Sequence, residues 1–180
     1  MKIKLLTVIL FISCFSFGQT DTIQTKINEK GILEGEFIVS FTDKSSVDLY
    51  KLSMEWISYT FKNSESVIQS EVEGKMIRIS GISTSIIGPL MSFYFDLGYD
   101  MQLDFRDNKL RFRAYNLKQI AQSFPYTKTS LEIMFKKSGE LKSARRYSKV
   151  KTQIDNEVTG LLGSLKDKIE GKAEKETDDW

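Results

Sequence analysis

Between Met91 and Phe105 every second residue is apolar: Met91, Phe93, Phe95, Leu97, Tyr99, Met101, Leu103 and Phe105 alternate with polar residues or glycine, apart from Tyr94. A period of two is that of a β-strand with one face in a core and the other in water. Fifteen residues at about 3.3 Å each would span roughly 50 Å, longer than an ordinary strand. A bend or bulge is therefore expected near Gly98, where no side chain resists it.

The strand that follows can be registered residue by residue. With Asp107-Asn108 as a two-residue turn, Arg106 faces Lys109, Phe105 faces Leu110, Leu103 faces Phe112 and Met101 faces Ala114. The other face then sets Asp104 against Arg111 and Gln102 against Arg113. Apolar meets apolar and acid meets base, so both faces select the same register. This predicts that Met91, Phe93, Phe95, Leu97, Met101, Leu103, Phe105, Leu110 and Phe112 share one buried face, with Arg111 and Arg113 on the opposite one.

Other segments show shorter signals. Phe37, Val39 and Phe41 alternate in a first strand. From Ser45 the period changes: Ser45 and Asp48 match a capping box, and Leu49, Leu52, Trp56, Ile57 and Thr60 fall on one helical face. Trp56 at that spacing is a core residue rather than a ligand platform. "SVIQSEVEGKMIRISGI" reads as two strands about Glu73-Gly74, while residues 19–33 read as a loose lead-in. A closing helix carries the stripe Val150, Ile154, Val158, Leu161, Leu165 and Ile169. With the Trp56 helix already over the sheet, its distal half is expected to overhang and to offer a surface for self-association. Residues 117–142 give no clear period, and residues 171–180 read as a charged tail.

Composition changes the picture at the start of the chain. Lys2 and Lys4 precede an apolar run from Leu5 to Phe17, with small residues Ser16 and Gly18 before Gln19. This is the pattern of a secretory signal peptide over 1–18, and the run is too short to span a bilayer. The chain is expected to be exported to the periplasm or outside the cell. Alternatively "FISC" serves as a loose lipobox, with a lipoprotein anchored at Cys14, the sole cysteine. Cleavage at Gly18 removes two of 26 basic residues and none of the 24 acids, leaving a formally neutral body. No global field for nucleic acid remains.

The chain has no histidine, which removes Ser-His-Asp and Cys-His catalysis and most zinc sites. No phosphate-cradling glycine loop is present, and "GLLG" at 160–163 falls within a helical pattern. Asp96, Asp100 and Asp104 share a strand face, but positions four apart are roughly 13 Å apart, beyond a glycosidase pair. No catalytic, cofactor-binding or metal-binding residue is therefore assigned. One local charge feature stands out: Lys136, Lys137, Lys142, Arg145, Arg146, Lys149 and Lys151 surround a single acid, Glu140. It reads as a solvated loop and first helical turns, or as an anion-binding patch for a lipid headgroup, a cell-wall polymer or an acidic envelope protein. Basic residues in a first turn oppose the helix dipole, which favours the patch.

The stretch "LYKLSMEWISYTFKNSESVIQSEVEGKMIRISGI" followed by "FRDNKLRFRAYNLKQI" resembles a bacterial domain-of-unknown-function family, number 4468, common in secreted proteins of Bacteroidetes. The shared features are a helix with a Trp-Ile pair, a strand running into isoleucine and glycine, and a hairpin, "RDNKLRFR" in this chain. They cover about residues 34–120 and, more loosely, the closing helix. The resemblance implies a TATA-binding-protein-like fold and no activity. A two-fold repeated saddle, which the TATA-binding protein uses on DNA, finds no internal repeat in this chain.

The sequence thus predicts one α+β domain over 34–170, a curved antiparallel β-sheet with helices packed on one face, behind a signal peptide. The expected role is an exported binding or interaction module. The alternatives are an assembly protein dimerising through its closing helix and, from a different class, a hydrolase using carboxylate or lysine chemistry.

Overall fold

A computed structural model describes residues 22–89, 93–123 and 125–172. The expected signal peptide at 1–18, Cys14 and Met91 lie outside them, as do residues 173–180 of the expected tail. The strands are β1 (Lys26–Ile27), β2 (Leu33–Ser40), β3 (Ile68–Val72), β4 (Met76–Ile87), β5 (Tyr94–Arg106), β6 (Lys109–Ala121) and β7 (Lys128–Ser130). The helices are α1 (Ser46–Thr60), α2 (Ser64–Val67) and α3 (Ala144–Glu170). All strands pair antiparallel in the order β1-β2-β6-β5-β4-β3, and β7 pairs with the far end of β6.

The hairpin register is the one the two-sided pattern predicts. Phe105 lies opposite Leu110, Leu103 opposite Phe112, Met101 opposite Ala114, Asp104 opposite Arg111 and Gln102 opposite Arg113. Asn108 takes a positive φ of 60°, which asparagine tolerates and the tight turn requires. Phe95, Leu97, Met101, Leu103, Phe105, Leu110 and Phe112 are buried together, and Arg111 points to water. Phe93 is the exception: it precedes β5 and is 43 % exposed.

The register shifts between Gly98 and Asp100, near the expected place, but the extra residue belongs to β6. β5 keeps its alternation throughout, whereas Asn116 and Leu117 of β6 together face Tyr99. Asn116 has φ 54°, and beyond it the buried phase of β6 slips from even (Leu110, Phe112, Ala114) to odd (Leu117). An asparagine in the left-handed region supplies the extra residue, so Gly98 need not. Gly98 instead makes room: a Cβ there would lie 2.9 Å from Ile120 Cδ1. β4 has a second irregularity between Ser83 and Ile86, which moves its buried phase from Ile77 and Ile79 to Ile86.

Helices cover the inner face. α1 begins with the expected capping box, Asp48 N–H donating to Ser45 Oγ and Ser45 N–H to Asp48 Oδ2, both at 3.1 Å. The hairpin tip extends this cap, since Ser46 N–H donates to Asp107 Oδ1 at 2.9 Å. Leu49, Trp56 and Ile57 are buried, Leu52 is half-buried and Thr60 is exposed. On α3 the buried stripe is Val150, Ile154, Val158, Leu162, Leu165 and Ile169; Leu162, not Leu161, faces the core.

The expected overhang of α3 is absent, because Leu165 and Ile169 are as buried as Val150. Length explains it. A 27-residue helix is about 40 Å long and 13-residue strands about 43 Å, so the sheet and α1 can cover the whole stripe. Each such side chain contributes about 1.5–3 kcal/mol when fully buried, which an overhang would forfeit. The apolar strip proposed for dimerisation is thus occupied within the chain.

The lead-in is also ordered. Ile23 and Thr25 are buried; Ile23 N–H donates to Thr159 Oγ1 at 3.0 Å, while Thr25 N–H and hydroxyl both donate to Asp155 Oδ1 at 2.9 and 2.7 Å. Folded structure therefore begins before residue 34. In the segment without a clear period, β6 runs on to Ala121, β7 adds a short strand, and a 3-10 turn spans Leu131–Met134. Glu132 Oε1 then accepts from Leu33 N–H at 3.0 Å, tying this turn to β2. Gly171 ends α3 in the left-handed conformation, φ 71°.

Candidate functional site

The basic cluster is built from a tight turn and a helix start. Phe135 and Leu141 pair across a turn closed by Gly139 (φ 84°), and Lys142 N–H donates back to Met134 O at 2.8 Å. Ser143 caps α3, its hydroxyl accepting from Arg146 N–H. The first turn holds no acid, so Arg145 and Arg146 add positive charge where the helix is already positive.

Not all seven residues stay in the cluster. Lys136 pairs with Glu140 at 3.0 Å, and this hydrogen-bonded cation holds the Glu140 carboxyl below its ordinary range. Lys151 turns inward to Asp155 at 2.6 Å, the same carboxylate that takes both Thr25 donors. It serves the fold. Arg146 lies 5.5 Å from the ring centre of Tyr147, an aromatic shelf that holds the guanidinium at the surface. Lys137, Lys142 and Arg145 are exposed and make no ion pair among the described residues. Lys149 is exposed one turn further along α3.

The outer face of the sheet, free of helices, carries a second set of charged residues. The three aspartates of β5 are individually engaged. Asp104 accepts two bonds from Arg111 at 2.9 and 2.8 Å and one from Gln102 Nε2 at 2.8 Å. Asp100 accepts from Ser80 Oγ and Asn116 Nδ2, each at 2.6 Å, and Asp96 from Gln122 Nε2 at 2.6 Å. Each is tied to different partners, as the strand spacing predicts. Among the described residues no group of three acids, cysteines or histidines is placed to hold a metal ion.

On the inner face, Tyr99 lies against Gly81, whose absent Cβ would come within 2.6 Å of the ring. Burial pushes its phenol up to about 12, Glu157 adds to this, and a hydrogen bond with Ser83 offsets part. A hydroxyl so strongly protonated is poorly suited to act as a base near neutral pH.

Two of the open clefts on the outer face gather cations. One, about 300 Å³, lies over Gly98 between Ile82, Lys118 and Ile120. The other, about 430 Å³, lies at the hairpin end, with Ile38 as its exposed apolar floor and Lys75, Arg106, Lys109 and Arg111 around it. Sequence reading missed this second cluster of cations because Lys75 is brought to the others only by the pairing of β4 with β5.

No family model matches the chain, and no curated protein matches it. Two solved structures do. A TBP-like protein from Parabacteroides distasonis superposes with a TM-score of 0.59 at 12 % identity, covering 77 % of this chain and 96 % of that one. A DUF4468 family protein from Bacteroides ovatus gives 0.62 at 10 % identity, covering 83 % and 91 %. The first carries the fold, and the second the family, that the helix, strand and hairpin motifs resemble. At these identities the likeness is one of fold: the chain has the TBP-like α+β architecture shared by these two proteins.

Proposed function

We propose that this chain is a non-catalytic, exported interaction module of the bacterial envelope that attaches to phosphate-bearing lipid headgroups through Lys137, Lys142, Arg145 and Arg146. One observation carries the reading: these four cations project from a single turn and helix start without an ion-pair partner among the described residues. They lie on the surface instead of lining an enclosed cavity, which suits an extended anionic surface better than a small captured anion. The engaged aspartates of β5 and the protonated Tyr99 support a role without catalysis. Export rests on the basic and apolar pattern of residues 1–18.

The test is co-sedimentation of the mature chain with vesicles, one set zwitterionic and one containing anionic phospholipid. Each basic residue near such a surface is worth about 1 kcal/mol, so losing all four should weaken partitioning by about 10³-fold. The fourfold variant Lys137→Glu, Lys142→Glu, Arg145→Glu, Arg146→Glu is expected to stay in solution while remaining folded. Equal binding to both vesicle sets, or unchanged binding by the variant, would remove the headgroup reading.

A further inference from the structure

The two edges of the sheet differ. β3, at one edge, has an irregular register between Ile68 and Ser70, a device that discourages further pairing. β2, at the other, is paired with β1 at Leu33 and Glu34 alone, so residues 36–40 have no strand on their outer side among the described residues. This segment, "EFIVS", holds no proline, no lysine and no bulge, and Ile38 at its centre is 57 % exposed. An open groove of about 610 Å³ runs beside it, lined by Lys26, Glu34, Glu36 and Ile38.

The hydrogen-bond phase of this edge is fixed from both sides. Phe41 N–H donates to Asn108 O across β2 and β6, and Asn28 N–H donates to Ile32 O across β1 and β2, both at 2.9 Å. Antiparallel ladders alternate, so the odd residues of β2 bond to β6. Glu36, Ile38 and Ser40 therefore direct their N–H and C=O groups to the open side. Their side chains lie on the outer face, with Arg111, while Phe37 and Val39 face the core.

We propose that two copies of this chain join edge to edge through residues 36–40, antiparallel about a two-fold axis at Ile38. This register sets Ile38 opposite its own counterpart and Glu36 opposite Ser40 of the second copy. All three outward residues of each copy then exchange both hydrogen bonds, which a centre at Phe37 or Val39 does not achieve, since Lys26 already pairs with Glu34 and β2 ends at Ser40. The side chains agree with the same register. Ile38 covers Ile38 where water solvates each poorly, and Phe37 meets Val39 of the second copy on the inner face. No like charges face one another: Glu36 meets a hydroxyl, and Lys109 of the second copy, paired with that Ser40, stands on the next strand.

The experiment is sedimentation of the chain beginning at Gln19 over a range of concentrations. A short edge makes a small interface, so a dimer with a Kd of about 10 μM to 1 mM is expected. Ile38→Lys puts two like charges face to face at the axis and should weaken association by about tenfold or more. Because Ile38 is exposed, the variant keeps its fold, which circular dichroism checks. Position is read by thiol linking: no cysteine follows Cys14, so Ile38→Cys and Glu36→Cys each give a chain with one thiol. In the proposed pair the two Ile38 positions stand about 5.5 Å apart, within disulfide reach, and the two Glu36 positions about 14 Å apart. Oxidation should link Ile38→Cys into a dimer and leave Glu36→Cys unlinked. A chain that stays monomeric up to about 1 mM overturns the proposal. So does a dimer that Ile38→Lys leaves intact, or equal linking of the two cysteine variants.

Discussion

Trp56 and Ser164 join the two covering helices: the indole Nε1–H of α1 donates to the Ser164 hydroxyl of α3 at 3.0 Å. The ring is 3 % exposed and packs edge-on to Phe61, so the N–H would lack a protein partner if Ser164 were lost. One turn further along, Lys168 pairs with Glu55 at 2.9 Å and lies over the Tyr59 ring. An apolar helix pair is thus fixed in register by polar contacts along its length. Ser164→Ala should cost about 1 kcal/mol through the unsatisfied indole, and Trp56→Ala about 3–5 kcal/mol through the cavity it leaves. Urea unfolding of the two variants measures both. Equal losses would mean that the hydrogen bond, not the ring, supplies the packing energy.

The glycines sort into two kinds with opposite expected outcomes. Gly160 and Gly163 lie inside α3, and a Cβ built at either meets nothing within 4 Å. Alanine there removes backbone freedom from the unfolded chain without a clash, so each substitution should raise stability by about 0.5–1 kcal/mol. Gly35 and Gly81 are occupied positions: a Cβ would come 2.7 Å from Ile23 Cγ2 in the first case and 2.6 Å from the Tyr99 ring in the second. Alanine at either should lower stability by about 1–3 kcal/mol, as overpacked sites do. Thermal melts of the four variants provide the check. A stabilising Gly35→Ala would show that residues 22–25 are not held against the sheet.

What the sequence revealed depended on how many independent signals met at one place. The β5–β6 register was legible because the apolar pairs and the Asp104–Arg111 pair selected it separately. A bend or bulge near Gly98 follows from the residue that most easily permits one, and the register does shift there, while the slip from Ala114 to Leu117 in the buried phase marks β6 as the strand with the extra residue. Leu161 and Leu162 are adjacent on the helix and both fit the stripe within a step of three or four residues. Only packing decides between them. Ile23 and Thr25 show too short an alternation to register, and their partners Thr159 and Asp155 lie more than a hundred residues away. Within the basic cluster, Lys151 is counted with the patch by its charge, yet Lys151 and Asp155 stand four residues apart on α3, the spacing of an ion pair that takes it out of the patch.

Tyr99 supplies a pH dependence with a definite sign. Its phenol is pushed from an ordinary 10.0 up to about 12, first by burial and then by Glu157. The folded-state value lies above the unfolded one, so the neutral phenol favours the fold fully below pH 10. Above that, the unfolded chain loses its proton while the folded chain keeps it, and stability falls as pH rises from 10 to about 12. Two units correspond to about 2–3 kcal/mol. Tyr99→Phe removes the titrating group but keeps the ring against Gly81, so its stability should stay flatter across that alkaline range, apart from the other tyrosines and lysines common to both chains. Urea unfolding at pH 9 and pH 11.5, for the wild type and Tyr99→Phe, reads the difference (pH values chosen to bracket about 10, the ordinary tyrosine value). If the two proteins lose stability in parallel, Tyr99 titrates as an exposed tyrosine does, and Ser83 and Glu157 do not enclose it.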